Sequence, residues 1–272
     1  MTADDTPSTT AAEEALPMTD TITLAPPTAP GRPGLRRTVP SLPGLTGIEI
    51  RKSLSTRSGK ALAVATVLLA PVATAVVAAA STEPLTAVDG PIAIMGLLTG
   101  YLLVSLGVLS TAGEWSHRTV QTTYLLVPHR GRVLAAKAVA VALMGALLGL
   151  VSTALTSGVL ALMESGVSWD GAPRAIGAAV LAGAAFAVIG AGVGAALANS
   201  AAALTGLYLV LLGVMPIVST FEPEVANAID PANAVINLGQ GAEQAQSAVN
   251  LGVWLVVASV AGWIVTHRRA VQ

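Results

Sequence analysis

The side chains able to do chemistry gather in two short stretches. One is PGLTGIEIRKSLSTRS (43–58), with Glu49, Lys52 and Arg57. The other is GEWSHRTVQTTYLLVPHRGRVLAAK (113–137). It begins with an acid beside an aromatic ring, Glu114-Trp115, and continues through His117, Arg118, Thr119 and Thr123. An apolar strip follows, with Leu125 and Leu126, then Pro128, Arg130, Arg132 and finally Lys137. Glu114 and Arg118 stand at the i, i+4 spacing of a helical ion pair. This set supports pairing and docking rather than bond making. The chain has no cysteine, which excludes disulfides, thiolate metal sites and a thiol nucleophile. His117, His129 and His267 are scattered outside the apolar runs, so no metal cluster is expected. No GxxxxGK[ST] run or phosphate-cradling loop occurs. The expectation is a chain with no catalytic residue, no metal and no cofactor of its own.

The elements that carry these stretches are apolar. Of the 272 residues, 53% are hydrophobic and only 11% charged, where soluble domains average about 25% charged. Mean hydropathy is +0.72. Six segments, 61–80, 91–113, 137–163, 174–198, 201–219 and 247–266, are each long enough to be a span, since about 20 helical residues cross the hydrocarbon core. Asn199 and Ser200 alone separate the fourth from the fifth, so a tight helical hairpin is expected there. Ahead of the first span, residues 43–60 read as a basic amphipathic helix lying in the membrane interface, with Leu45, Ile48 and Lys52 on one face. Residues 1–42 read as a disordered polar tail. They open with Asp4, Asp5, Glu13 and Glu14 instead of a basic n-region, which argues against a signal peptide. Residues 267–272 form a short C-terminal tail. The fold class is therefore an all-α integral membrane protein with six transmembrane helices.

Orientation follows from Lys and Arg, which favour the cytoplasmic side. With the N-terminus inside and alternating spans, 13 of the 14 basic residues fall inside and only Arg174 falls outside. The outer loops hold Glu83, Asp89, Glu164, Asp170, Glu222, Glu224, Asp230 and Glu243. Both termini are thus expected in the cytoplasm. A net charge of −1 gives no field for nucleic acid.

No ionisable residue lies in the middle of a span. Ion-coupled transporters and intramembrane enzymes need such a group at depth, so an energy source on another chain is expected. The fourth span is rich in small residues, including Gly190 and Gly194, which suits close helix packing within the bundle. Pro71 and Pro216 fall inside spans and are candidate kinks. Trp115, Trp169 and Trp263 fall near span ends as interfacial anchors. Tyr101 and Tyr208, within spans, either line a substrate path or hydrogen-bond across helices. The outer loop 220–246 reads either as short helices dipping back towards the bilayer or as a solvated loop.

The 113–137 stretch resembles the corresponding loop of bacterial type-2 ABC transporter permeases. The matching features are Glu114-Trp115, His117-Arg118-Thr119, Thr123, Leu125-Leu126, Pro128, Arg130, Arg132 and Ala136-Lys137. The departure is that Thr119 follows His117 and Arg118, where many members of that family carry a glycine near this point. The segment with Glu49, Lys52 and Arg57 is similar to the family's interfacial helix. The resemblance covers about 48–266. It implies that 114–128 is a coupling helix seated on a separate nucleotide-binding ATPase, which binds the ATP and Mg. It further implies a dimer with a second permease copy or paralogue, and export across the bacterial plasma membrane. A bundle without buried midplane charge suggests a hydrophobic or amphipathic cargo. The alternative is a non-transporting membrane anchor, assembly factor or immunity factor.

Overall fold

The computed structural model describes residues 41–116 and 130–269. Nine helices form among these residues and no strand; Ala87 and Ser168 make one isolated bridge. α1 (Leu42–Ser55) starts where the Ser41 hydroxyl accepts the Gly44 N–H at 3.3 Å. It ends one residue before α2 (Arg57–Ala80) begins. Thr56, with extended backbone at φ −81° and ψ 151°, is that residue, and its hydroxyl accepts the Gly59 N–H at 3.0 Å. One threonine therefore stops one helix and caps the next. α2 stays helical through Pro71.

α3 (Asp89–Ser116), α4 (Arg130–Met163) and α5 (Ala172–Leu197) follow. The hairpin expected at Asn199 is present. Ala198 takes the left-handed conformation at φ 51°, and the Asn199 side chain caps α6 (Ser200–Phe221) by accepting the Ala202 N–H at 3.0 Å. Within α6, Leu209–Val214 widen into a π-helix just ahead of Pro216. Proline has no N–H, and its ring strikes the carbonyl four residues back in a regular helix. The wider turn lets this helix carry it. α7 (Pro223–Ile229), α8 (Pro231–Gln240) and α9 (Gln244–Arg268) complete the order.

α2, α3, α4, α5, α6 and α9 are each long and apolar enough to cross a membrane. α3 and α5 form the centre: 61% of the apolar window of each is buried, against 22% in α2, α6 and α9. Glycines set how closely they cross. A Cβ at Gly107 would overlap the Ala187 carbonyl, and one at Gly190 would overlap that of Val104. Gly145 and Gly183 meet in the same way across α4 and α5. The small-residue stripe of the fourth span is thus spent on packing inside the bundle. Phe186, Ile189, Val104 and Val108 fill the space between these crossings. The outward faces carry Val64, Leu68, Val72 and Val76 on α2, Leu143 and Leu147 on α4, and Val253, Val256 and Val260 on α9. An apolar exterior on this scale belongs in lipid, not water. The chain is a multi-pass membrane protein built from six helices.

The six spans bring residues 41 and 269 to one end of the bundle. That end, here called the basic end, holds nine of the ten described Lys and Arg residues. The opposite, acidic end holds eight of the ten described Asp and Glu residues. Arg174, the exception among the cations, has a local task there. It donates to the carbonyls of Gly239 at 3.0 Å and Gln240 at 2.9 Å, closing the C-terminus of α8, and pairs with Asp89 at 3.4 Å. α8 does fold back onto the bundle: Ala234 and Val235 are fully buried, and Gly239 lies against Ala93.

One helix extends past the expected span. α4 begins at Arg130 and runs 34 residues, about 51 Å, against a hydrocarbon core of about 30 Å. Its first turns therefore project beyond the apolar layer. In α1, Leu45, Thr46 and Glu49 turn inward, whereas Ile48 is exposed. Leu45 packs on Val133 and Ala136 of α4.

Candidate functional site

Four charged side chains from three helices converge at the basic end. α1 supplies Glu49 and Lys52, three residues apart and so on neighbouring positions of one face. The last turns of α3 supply Glu114, and α4 supplies Lys137. The Lys137 ammonium donates to Glu49 Oε2 at 2.5 Å, to Glu114 Oε1 at 2.8 Å and to the Ser110 carbonyl at 3.1 Å. An ammonium has three N–H donors, and all three are used. Lys52 pairs with the same Glu114 oxygen. Side-chain exposure is 5% for Lys137, 11% for Glu49 and 8% for Glu114, but 44% for Lys52. Burial, then the neighbouring Lys137, holds the Lys52 ammonium below the ordinary lysine range, with Glu49 opposing.

Two lysines and two glutamates cancel in formal charge. Burying any one alone would cost several kcal/mol, and the cost is offset only while its partners stay in place. The cluster therefore behaves as a latch. It fastens α1 to the end of α3 and the start of α4, the two stems of segment 117–129. Beside it lies a cavity of about 370 Å³, floored by Glu49, Lys52 and Glu114.

The other expected site residues have these places. Arg57 and Arg132 are exposed at the basic end. Arg130 donates to the carbonyls of Thr266 at 3.2 Å and Arg269 at 2.7 Å, so it closes the C-terminus of α9. Trp115 is half-buried, with the Arg269 guanidinium 5.5 Å from its ring centre. His117, Arg118, Thr119, Thr123, Leu125, Leu126 and Pro128 lie outside the described residues, and with them the expected Glu114–Arg118 pair. Tyr101 stands edge-on to Phe186, with ring centres 5.6 Å apart. The Tyr208 hydroxyl donates to the Tyr101 carbonyl at 2.7 Å and lies 2.8 Å from the Ser105 hydroxyl. Tyr208 thus ties α6 to α3.

The reading of the sequence missed the role of the Ser110 carbonyl, because a main-chain acceptor carries no residue signal. It also missed the joining of α9 to α4 through Arg130. A cation at a helix start gives no hint of which C-terminus it will cap. Among the described residues no group of three or more His, Asp or Glu side chains could hold a metal ion. Compared with known proteins, the chain matches no family model and no curated sequence.

Proposed function

We propose that this chain is the membrane-spanning permease subunit of an ATP-driven exporter of the ABC type. The observation that carries the proposal is the convergence of Glu49, Lys52, Glu114 and Lys137. These residues, each marked by resemblance to such permeases, meet in one cluster, buried except for Lys52, that joins both stems of segment 117–129. A separate nucleotide-binding subunit, carrying ATP and Mg, seats on that segment. Its closure pushes the stems of α3 and α4. The ionic latch prevents the stems from yielding locally, and the glycine crossings of α3 on α5 pass the displacement into the bundle. The basic end faces the cytoplasm of a bacterial cell, by the preference of Lys and Arg for that side. A second copy or a paralogue completes the pathway, and the cargo is hydrophobic or amphipathic.

The absence of cysteine makes the test direct, since single cysteines can be introduced without removing any. In intact cells, Leu125→Cys should resist a membrane-impermeant maleimide, while Trp169→Cys, exposed at the acidic end, should react. After membranes are opened, Leu125→Cys should react and should crosslink to an ATPase subunit. Labelling of Leu125→Cys from outside would place segment 117–129 on the wrong side and overturn the proposal.

A further inference from the structure

The cavity at the basic end is divided by chemistry. One wall is polar, formed by Ser53, Thr56 and Ser58 at the α1–α2 corner. The other is apolar, formed by Leu62 of α2 with Leu106 and Leu109 of α3. The division falls at the step from charged to apolar sequence in α2, where Lys60 gives way to the run from Ala61. The cavity therefore straddles the boundary between the aqueous layer and the hydrocarbon. It is open on both sides of that boundary. Thr56, Ser58 and Lys52 are exposed on the wet side, and Leu109 is 42% exposed on the lipid side. Its volume of about 370 Å³ lies within the range of small-molecule sites, about 300–1,000 Å³.

Charge at the rim has one sign. Arg51, Lys52, Arg57 and Lys60 are all exposed between residues 51 and 60, around the corner. The two acids that floor the cavity, Glu49 and Glu114, are buried and balanced by Lys137 and Lys52, which leaves Arg51, Arg57 and Lys60 as the net charge of the corner. What the corner shows to the outside is therefore cationic, on residues that neighbour the cavity lining in sequence, and the cavity's inner wall is apolar. We infer that this cavity is a binding site for an anionic phospholipid. Its phosphate head group sits at the cationic corner beside the serine and threonine hydroxyls, and the upper part of an acyl chain lies against Leu62, Leu106 and Leu109. Cations beside a membrane surface attract anionic head groups additively, and the slot adds apolar burial that a free anion could not use. The site does not depend on what the chain transports, or on whether it transports anything.

The test uses the full chain, purified and delipidated in a non-ionic detergent. Native mass spectrometry measures binding of dioleoyl phosphatidylglycerol, dioleoyl phosphatidylcholine and inorganic phosphate. The expected result is at least about tenfold tighter binding of phosphatidylglycerol than of phosphatidylcholine, with no effect of phosphate. Leu109→Trp, which fills the apolar half, should abolish the tight site. The exposed pair Arg57→Gln/Lys60→Gln, which leaves the packing untouched, should remove most of the preference even if Leu109→Trp fails to fold. Equal binding of the two lipids, an unchanged preference in the charge variant, or full competition by inorganic phosphate would each overturn the inference.

Discussion

Lys137 is secure only as a member of a set. Each of its three donors meets an acceptor, and two of the acceptors are carboxylates that are themselves buried. Removing the ammonium alone leaves the buried Glu49 carboxylate without the ammonium it pairs with. Lys137→Met should therefore cost about 3–5 kcal/mol, read as the shift in unfolding free energy in detergent. Adding Glu49→Gln and Glu114→Gln to that variant should recover about half the loss, because neutral groups no longer need the ammonium. A small loss in the single variant, or a further loss in the triple, would show that these charges do not stabilise one another. The members of this cluster were visible in the sequence as unusual charges beside apolar runs. Their partnership was not. Glu49 and Lys137 are 88 positions apart, and helical spacing reports only neighbours within a turn or two. The pattern pointed to a local Glu114–Arg118 pair, since i, i+4 is the pairing that spacing can express.

At the level of elements, what is local was legible. Long uncharged runs mark spans because a bilayer leaves no other solution for so much apolar sequence, and Asn199 marks the hairpin because it is a good cap. What depends on packing was less legible. The start of α4 at Arg130 is hidden because the helix outlasts the apolar layer, and composition changes where the lipid ends, not where the helix does. The refolding of α8 onto the bundle rests on Gly239 fitting beside Ala93 and on Arg174 reaching two carbonyls, neither of which is a pattern in sequence. The central crossing offers a sharp test. Gly190 faces the Val104 main chain, so Gly190→Val forces two helices apart. The expected loss is about 1–3 kcal/mol or more in the same unfolding assay. Gly158 and Gly252, with open space around them, should accept alanine with no loss, or with a gain of a few tenths of a kcal/mol from helix propensity. Equal effects at all three positions would mean that glycine there serves something other than close approach.

For the whole molecule, the distribution of charge and the connectivity agree. An even number of spans returns the chain to its starting end, and that end gathers the cations that the loops between other spans lack. Among the described residues the helices cross closely at glycines and small side chains, and the buried four-member ionic cluster lies at the basic end. The proposed function places the energy source on a partner docked at that end. The measurement that tests this most directly is affinity capture of the full chain from gently solubilised native membranes, followed by mass spectrometry and an ATP-hydrolysis assay on the captured material. Co-purification of a P-loop ATPase in comparable amount, lost on Leu125→Ala while the chain itself remains folded, is the predicted result. Recovery of the chain without any ATPase, under conditions in which a control transporter keeps its own, would contradict the account.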